Sequence, residues 1–303
     1  MTTRVQAVGE CMVEIVRNRD GRVLLGYGGD AYNTAVYVVR VAEQLRSPVA
    51  VSFLTGSGID EESSLMRASW QQERVEDHSV PVPDGAPGAY LVTTDDDGER
   101  SFSYWRNGSA AARLFQRLDW VERLEGDYVY LSGVTLQLMT DETRQALVFR
   151  LHELRADGTV VAFDSNYRAA GWRSPGLARA AMAAVLAETD IALVTLEDEL
   201  ALRTCTGVPS CLQRLADLGV PEAVVKVGSE GVWLGGPTLV ATQPVPALDT
   251  TGAGDSFNGA YLAARIAGLP PVEAAAIGNQ VAGRVVTLPG AVVDLGAMPL
   301  LVR

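Results

Sequence analysis

Residues 249–264, DTTGAGDSFNGAYLAA, place Gly252-Ala253-Gly254 between Asp249 and Asp255 and run on into an apolar pattern. Glycines let the backbone bring N–H groups close to a ligand without obstruction by a Cβ. Phe257, Ala260, Tyr261 and Ala264 share one face of the helix predicted to follow. The turn therefore opens a helix, where unsatisfied N–H groups and the dipole favour an anion. Asp255 falls in the first helical turn. A bland explanation is an acidic N-terminal residue beside an ordinary glycine-rich loop. A chemical one accounts for both features: amides of the turn stabilise charge on a transferring phosphoryl group, and Asp255 takes the proton of an attacking hydroxyl. The stretch matches neither GxxxxGK[ST] nor GxGxxG.

Two further segments point at an acidic ligand. SYWRNGSAA, residues 103–111, puts Tyr104 and Arg106 two apart on a predicted strand and so on one face. FDSNYRAAGW, residues 163–172, ends a predicted parallel strand and leaves Arg168 in the loop after it. Loops at the carboxyl ends of such strands are where open α/β sheets bind ligands. Taken singly, each arginine reads equally as a solvated or salt-bridged surface residue. Two guanidinium forks converging on one pocket would suit a carboxylate, whereas a neutral sugar gives little reason to bury them.

The elements that must position these groups are short apolar runs separated by helical patterns. Residues 5–9, 49–54, 128–133, 159–164, 191–195 and 222–228 read as buried strands. Helices are expected over 31–45, with Ala31, Ala35, Val38, Ala42 and Leu45 on one face, and over 143–156 and 175–188. The alternation predicts βαβ units and a parallel sheet covered by helices. Residues 10–30 and 88–106 break this rhythm and read as hairpins, the second turning at DDDG. They are expected to form a small antiparallel sheet projecting as a lid from a single domain spanning 1–303.

Composition excludes several classes of function. The 303 residues carry a formal net charge of −12 without a basic stripe, which argues against holding a nucleic acid. Cys11, Cys205 and Cys211 form no CxxC pair, as expected of a reducing, cytoplasmic setting. His78 and His152 are the only histidines, so a histidine-ligated metal or a Ser-His-Asp triad is not expected. The N-terminal stretch is interrupted by Glu10 and Glu14 and does not read as a signal peptide. No apolar run reaches the roughly 18 residues needed to span a bilayer.

DTTGAGDSFNGAYLAA resembles the C-terminal motif of the ribokinase-like (PfkB) carbohydrate kinases. GGDAYNTA, residues 28–35, and KVGSEGVWL, residues 226–234, resemble that family's GGxxxN and KxGxxG elements. The resemblance covers nearly the whole chain. It implies a ribokinase-like doubly wound α/β fold with a β-sheet lid, Asp255 as catalytic base, and an anion hole from the amides of Gly252, Ala253, Gly254 and Asp255. The arginine segments resemble the 2-keto-3-deoxygluconate kinases in the family, which implies ATP-dependent phosphorylation of a sugar acid at its 6-hydroxyl. Substrate contacts implied are Gly28, Gly29, Asn33, Tyr90, Tyr104, Arg106, Arg168 and Asp255. Asn166, Lys226, Gly228, Gly231, Gly254 and Asn279 are placed on the nucleotide side. Tyr90 also reads as a core aromatic of its strand.

The chain departs from the family's NxxE element, which organises Mg²⁺ through water. Thr195 and Asp198 stand there, with Glu197 adjacent. Mg²⁺ is still expected, near Asp198. The Asp249-Thr250-Thr251 start resembles members that hold a monovalent cation such as K⁺, at Asp249 and Thr251. Asp294 is a further candidate for the substrate side. Competing readings are a neutral-sugar kinase, a sugar-binding protein without catalysis, and an NAD-dependent oxidoreductase, the last disfavoured by the missing GxGxxG. A lid with open edges also implies a homo-oligomer.

Overall fold

A computed structural model describes residues 2–17, 21–94, 100–236 and 238–301. In chain order the first elements are β1 (Thr3–Val8), β2 (Met12–Arg17), β3 (Val23–Gly28), α1 (Asp30–Gln44), β4 (Val49–Leu54), β5 (Gly56–Ser57) and α2 (Glu61–Gln72). Next come β6 (Val75–Asp77), β7 (Val80–Pro81), β8 (Gly88–Thr94), β9 (Arg100–Trp105), α3 (Ala110–Phe115), β10 (Tyr128–Ser132), α4 (Gly133–Leu136), α5 (Asp141–Ala156) and β11 (Val160–Asp164). The last third holds α6 (Pro175–Leu186), β12 (Ile191–Thr195), α7 (Leu196–Ala201), α8 (Val208–Asp217), β13 (Glu222–Lys226), β14 (Gly231–Leu234), β15 (Thr238–Ala241), α9 (Ala253–Ile266) and α10 (Pro271–Val285). Each expected strand and helix is present.

The main sheet runs β15-β14-β13-β12-β11-β10-β1-β4-β6. It is parallel from β13 to β6, and β14 and β15 add an antiparallel edge. Both faces are covered, which is why its strands read as continuous apolar runs rather than as alternation. Tyr130, Ala162, Leu193 and Val224 face a core shared with Val36, Tyr37, Phe257 and Tyr261. Leu131, Phe163, Val194 and Val225 face the other core, with Phe115, Leu147 and Met182. Local signals start the helices: Asp60, Thr140 and Ser174 each cap with a side-chain oxygen, and Pro175 follows its cap at the first helical position.

A second sheet has the order β3-β2-β8-β9. β2–β3 and β8–β9 are the two expected antiparallel hairpins, but their inner strands β2 and β8 pair in parallel. The hairpins come from distant chain segments, and nothing local encodes that joint. The DDDG turn lies outside the described residues. This lid joins the main domain at four crossings: Gly9–Cys11, Gly29, the residues before Gly88, and Arg106–Ser109.

α1 and α9 pack side by side on one face of the main sheet. A Cβ on Gly259 would lie 2.5 Å from the Thr34 carbonyl oxygen and 2.6 Å from Tyr37 Cβ. The glycine is what permits this approach, and it sets α9 against the residues of α1 that face the ligand cleft.

Candidate active site

The parallel strands end along one line, and polar residues stand at their carboxyl ends. Ser132 closes β10 opposite Asp164 of β11, and Thr195 closes β12 opposite Lys226 of β13. The cleft above them, about 780 Å³, is bounded on its far side by the lid. A second cavity of about 460 Å³ lies between β14, the start of α9 and the C-terminal half of α10. Thr195, Glu197, Lys226, Thr250 and Gly254 line both. The glycine turn thus stands at the junction of two ligand-sized spaces.

Gly252 caps α9 in the left-handed conformation, with φ 74°, and a Cβ there would lie 2.7 Å from the Ala291 backbone. The Ala253 amide donates to the Thr250 carbonyl at 3.2 Å, and the Ser256 amide to the Gly252 carbonyl at 2.8 Å. The amides of Gly254 and Asp255 lie between these two, in the first turn, where no intrahelical acceptor exists. These two amides are placed to receive an anion, whereas the Ala253 amide is used to close the turn. Asp249 shapes it from behind. Its Oδ1 accepts from the Thr251 amide at 3.0 Å and its Oδ2 from the Gly290 amide at 2.5 Å, which ties the turn to the 286–291 segment.

Asp255 Oδ2 accepts from Asn33 Nδ2 at 2.8 Å. Burial pushes its carboxyl up to about 7, with the negative charges of Asp30 and Asp164 adding to the rise and Asn33 and Lys226 opposing it. A carboxylate poised near neutrality is suited to accept a proton from a hydroxyl. Lys226 Nζ is fixed by Asp164 Oδ2 at 2.9 Å and Asn258 Oδ1 at 3.0 Å, and a Cβ on Gly254 would lie 3.6 Å from it. Asp198 lines the larger cleft, and its Oδ2 accepts from the Tyr167 amide at 3.1 Å. Burial pushes it up to about 6, with Asp164 adding and Arg168 opposing.

On the lid side, Tyr90 and Tyr104 are register partners across β8 and β9, with ring centroids 5.9 Å apart. Tyr90 is buried beside Met12 and Val92, yet it also lines the cleft. Its hydroxyl donates to Glu14 Oε1 at 2.7 Å. A Cβ on Gly28 would lie 2.5 Å from that hydroxyl, so Gly28 makes room for it, while Gly29 lines the cleft itself. Arg106 and Arg168 line the same cleft. Arg106 Nη2 is 2.7 Å from Glu10 Oε2, and its Nε is buried without a hydrogen-bond partner among the described residues. Arg168 is largely exposed, 3.7 Å from Asp198 Oδ1.

Gly228, Gly231 and Asn279, which the family resemblance puts on the nucleotide side, line the smaller cavity. Asn166 differs. It lines the larger cleft, where its Nδ2 donates to Asp30 Oδ2 at 2.7 Å and its amide to Asp164 Oδ1 at 3.1 Å. These two bonds hold it at φ 28° just past β11, between Asp164 and Asp30 of α1. Asp294 is exposed and lines neither cavity; Ala291 reaches the cleft instead. Glu10, Asp30, Asp164 and Asn258 escaped the sequence reading. Asp30 lies inside the GGDAYNTA motif and Asp164 at a strand end, and position alone could have singled them out.

The chain matches the model of the pfkB family carbohydrate kinases over residues 2–296. It is 38% identical to a 2-dehydro-3-deoxygluconokinase of Dickeya dadantii, covering 99% of this chain and 100% of the relative. The fold superposes on a fructokinase from Vibrio cholerae, solved with fructose, ADP and a calcium ion, with a TM-score of 0.82 at 24% identity, covering 97% of this chain and 96% of that one. It superposes equally, at TM-score 0.82 and 18% identity, on a 2-dehydro-3-deoxygluconokinase from Thermotoga maritima, covering 98% and 97%. Among the described residues no helix is long and apolar enough to cross a membrane. A buried carboxylate beside a glycine turn, at the junction of two cavities, is thus found in a chain that belongs to the pfkB family of carbohydrate kinases.

Proposed function

We propose that the protein transfers the γ-phosphoryl group of ATP to the 6-hydroxyl of 2-keto-3-deoxygluconate. The observation that carries the substrate class is the presence of Arg106 and Arg168 in the cleft that holds Asp255. Two guanidinium groups supply bidentate donors for a carboxylate at one end while the base addresses a hydroxyl at the other. The name borne by the Dickeya dadantii relative, at 38% identity over its whole length, supports the same choice.

In this reading the nucleotide lies in the smaller cavity along Gly228, Gly231 and Asn279, with its phosphates directed at Gly254. Asp255 accepts the hydroxyl proton, the freed oxygen pair forms the new P–O bond, and the bond to the departing ADP breaks. The amides of Gly254 and Asp255 and the Lys226 ammonium offset charge on the moving group. Mg²⁺ bound with the phosphates would offset their charge. Asp198 and Glu197 line the cleft beside Thr195 and offer the oxygen donors a hard cation prefers, Asp198 through water. A monovalent cation at Asp249 and Thr251 would brace the turn.

We also propose a homo-oligomer formed through the lid. Its outer strand β3 exposes Val23, Leu24 and Leu25, and β9 exposes Trp105, an apolar fringe on open sheet edges that a second copy would cover. Light scattering that gives a monomer mass overturns that part. The substrate reading is tested by coupled ADP release with a panel of sugars and sugar acids. The keto acid should show the largest kcat/KM; a larger value for fructose or ribose overturns it.

A further inference from the structure

Glu10 is among the most deeply placed carboxylates of the molecule, 2% exposed, and no step of the transfer uses it. Its Oε1 accepts from Ser109 Oγ at 2.5 Å and its Oε2 lies 2.7 Å from Arg106 Nη2. Burying a carboxylate is costly unless it is paired, so this placement needs a reason.

The surroundings supply one. Glu10 stands in the first crossing between main domain and lid. A Cβ on Gly29, in the second crossing, would lie 2.0 Å from the Glu10 carbonyl oxygen. A Cβ on Gly88, at the third, would lie 3.0 Å from Glu10 Oε1 and 3.3 Å from Arg106 Cβ. Arg106 and Ser109 belong to the fourth. One buried residue therefore touches all four chain crossings. It forms an ion pair with the Arg106 fork at Nη2, and Nε, Nη2 and Glu10 Oε2 are all buried without a well-aligned hydrogen bond among the described residues. A guanidinium held at its buried edge by a fixed carboxylate keeps its other edge toward the cleft that Arg106 lines.

We propose that Glu10 is a positioning residue: it anchors Arg106 at the lid's root so that the guanidinium presents its remaining donors to the substrate's carboxylate. The proposal rests on the sugar-acid reading above. Glu10 would keep Arg106 from being a bare buried cation before substrate arrives, and it ties the acid-binding group to the junction through which the lid is attached. Burial raises the Glu10 carboxyl and the Arg106 charge opposes that rise, as expected of a carboxylate that exists for its partner.

The test is steady-state kinetics of Glu10→Gln, which keeps shape but removes charge. KM for the keto acid should rise about tenfold, with kcat and the KM for ATP changing less than about twofold, the pattern of a lost substrate-orienting contact. Glu10→Asp, with the charge on a shorter arm, should recover part of the loss. Should Glu10→Gln not fold, Ser109→Ala asks the same question, since it removes the hydroxyl that fixes Glu10 Oε1 and leaves both Glu10 and Arg106 in place. It should raise KM for the keto acid in the same selective way. An unchanged KM, or equal loss in all three constants, overturns the proposal. Absence of keto-acid turnover by the unaltered enzyme overturns the substrate reading and this one together, whereas turnover with an indifferent Glu10→Gln overturns this one alone.

Discussion

The two walls of the cleft are built differently. The wall carrying Asp255, Lys226 and Asp164 belongs to a nine-stranded sheet covered on both faces, and its polar atoms are locked by short bonds between elements distant in sequence. The wall carrying Tyr90, Tyr104 and Arg106 belongs to a four-stranded sheet that shows much of its surface to solvent and hangs from four crossings. A rigid wall suits a reaction common to a whole family, because phosphoryl transfer rests on fixed positions and fixed charge. A separate, lightly attached wall can change its substrate contacts without disturbing the chemistry. Rate and selectivity should therefore separate on mutation.

The largest expected effect breaks the first wall. Asp255→Asn should lower kcat by about 10²–10⁴ while both substrates still bind, as read by calorimetry beside turnover. Near-normal turnover would remove Asp255 from its role. Next, Arg106→Ala or Arg168→Ala should raise KM for the sugar acid about 10–100-fold and leave the KM for ATP nearly unchanged. Equal effects on both constants would erase the contrast between walls. Because burial raises the Asp255 carboxyl from the ordinary carboxylate range to about 7, its base form is lost as pH falls through that value. kcat/KM should drop about tenfold per pH unit on the acid side of about 7 and level off above it. A profile flat down to pH 5 would contradict the assignment. The smallest effect sharpens the comparison: replacing K⁺ by a bulky organic cation should lower kcat about two- to threefold with KM for the sugar acid unchanged. Indifference to the cation would leave Asp249 as a purely structural brace.

Much of the rigid wall was legible in the sequence. Its strands are apolar on both faces and its turn is spelled by two glycines flanking Ala253, so local pattern and local motif carry the information. The lid's hairpins were legible for the same reason. The parallel joint between β2 and β8, the Asp30–Asn166 contact and the Glu10–Arg106–Ser109 cluster were not. Each joins residues separated by dozens of positions or more, and no spacing rule reaches across such a gap. Asn166 shows the limit well: its motif singles it out, but its bond to Asp30 of α1, 136 positions away, is visible only in the fold.

The missing methyl group at Gly259 has a consequence for the proton acceptor more than a helical turn away. Asp255 and its partner Asn33 sit on different helices, and their 2.8 Å bond persists only while those helices keep their spacing. Gly259 is therefore a gauge: it determines how far Asp255, the proposed base, stands from Asn33. A bulkier residue there would detune the reaction from behind, with every residue that touches substrate left intact.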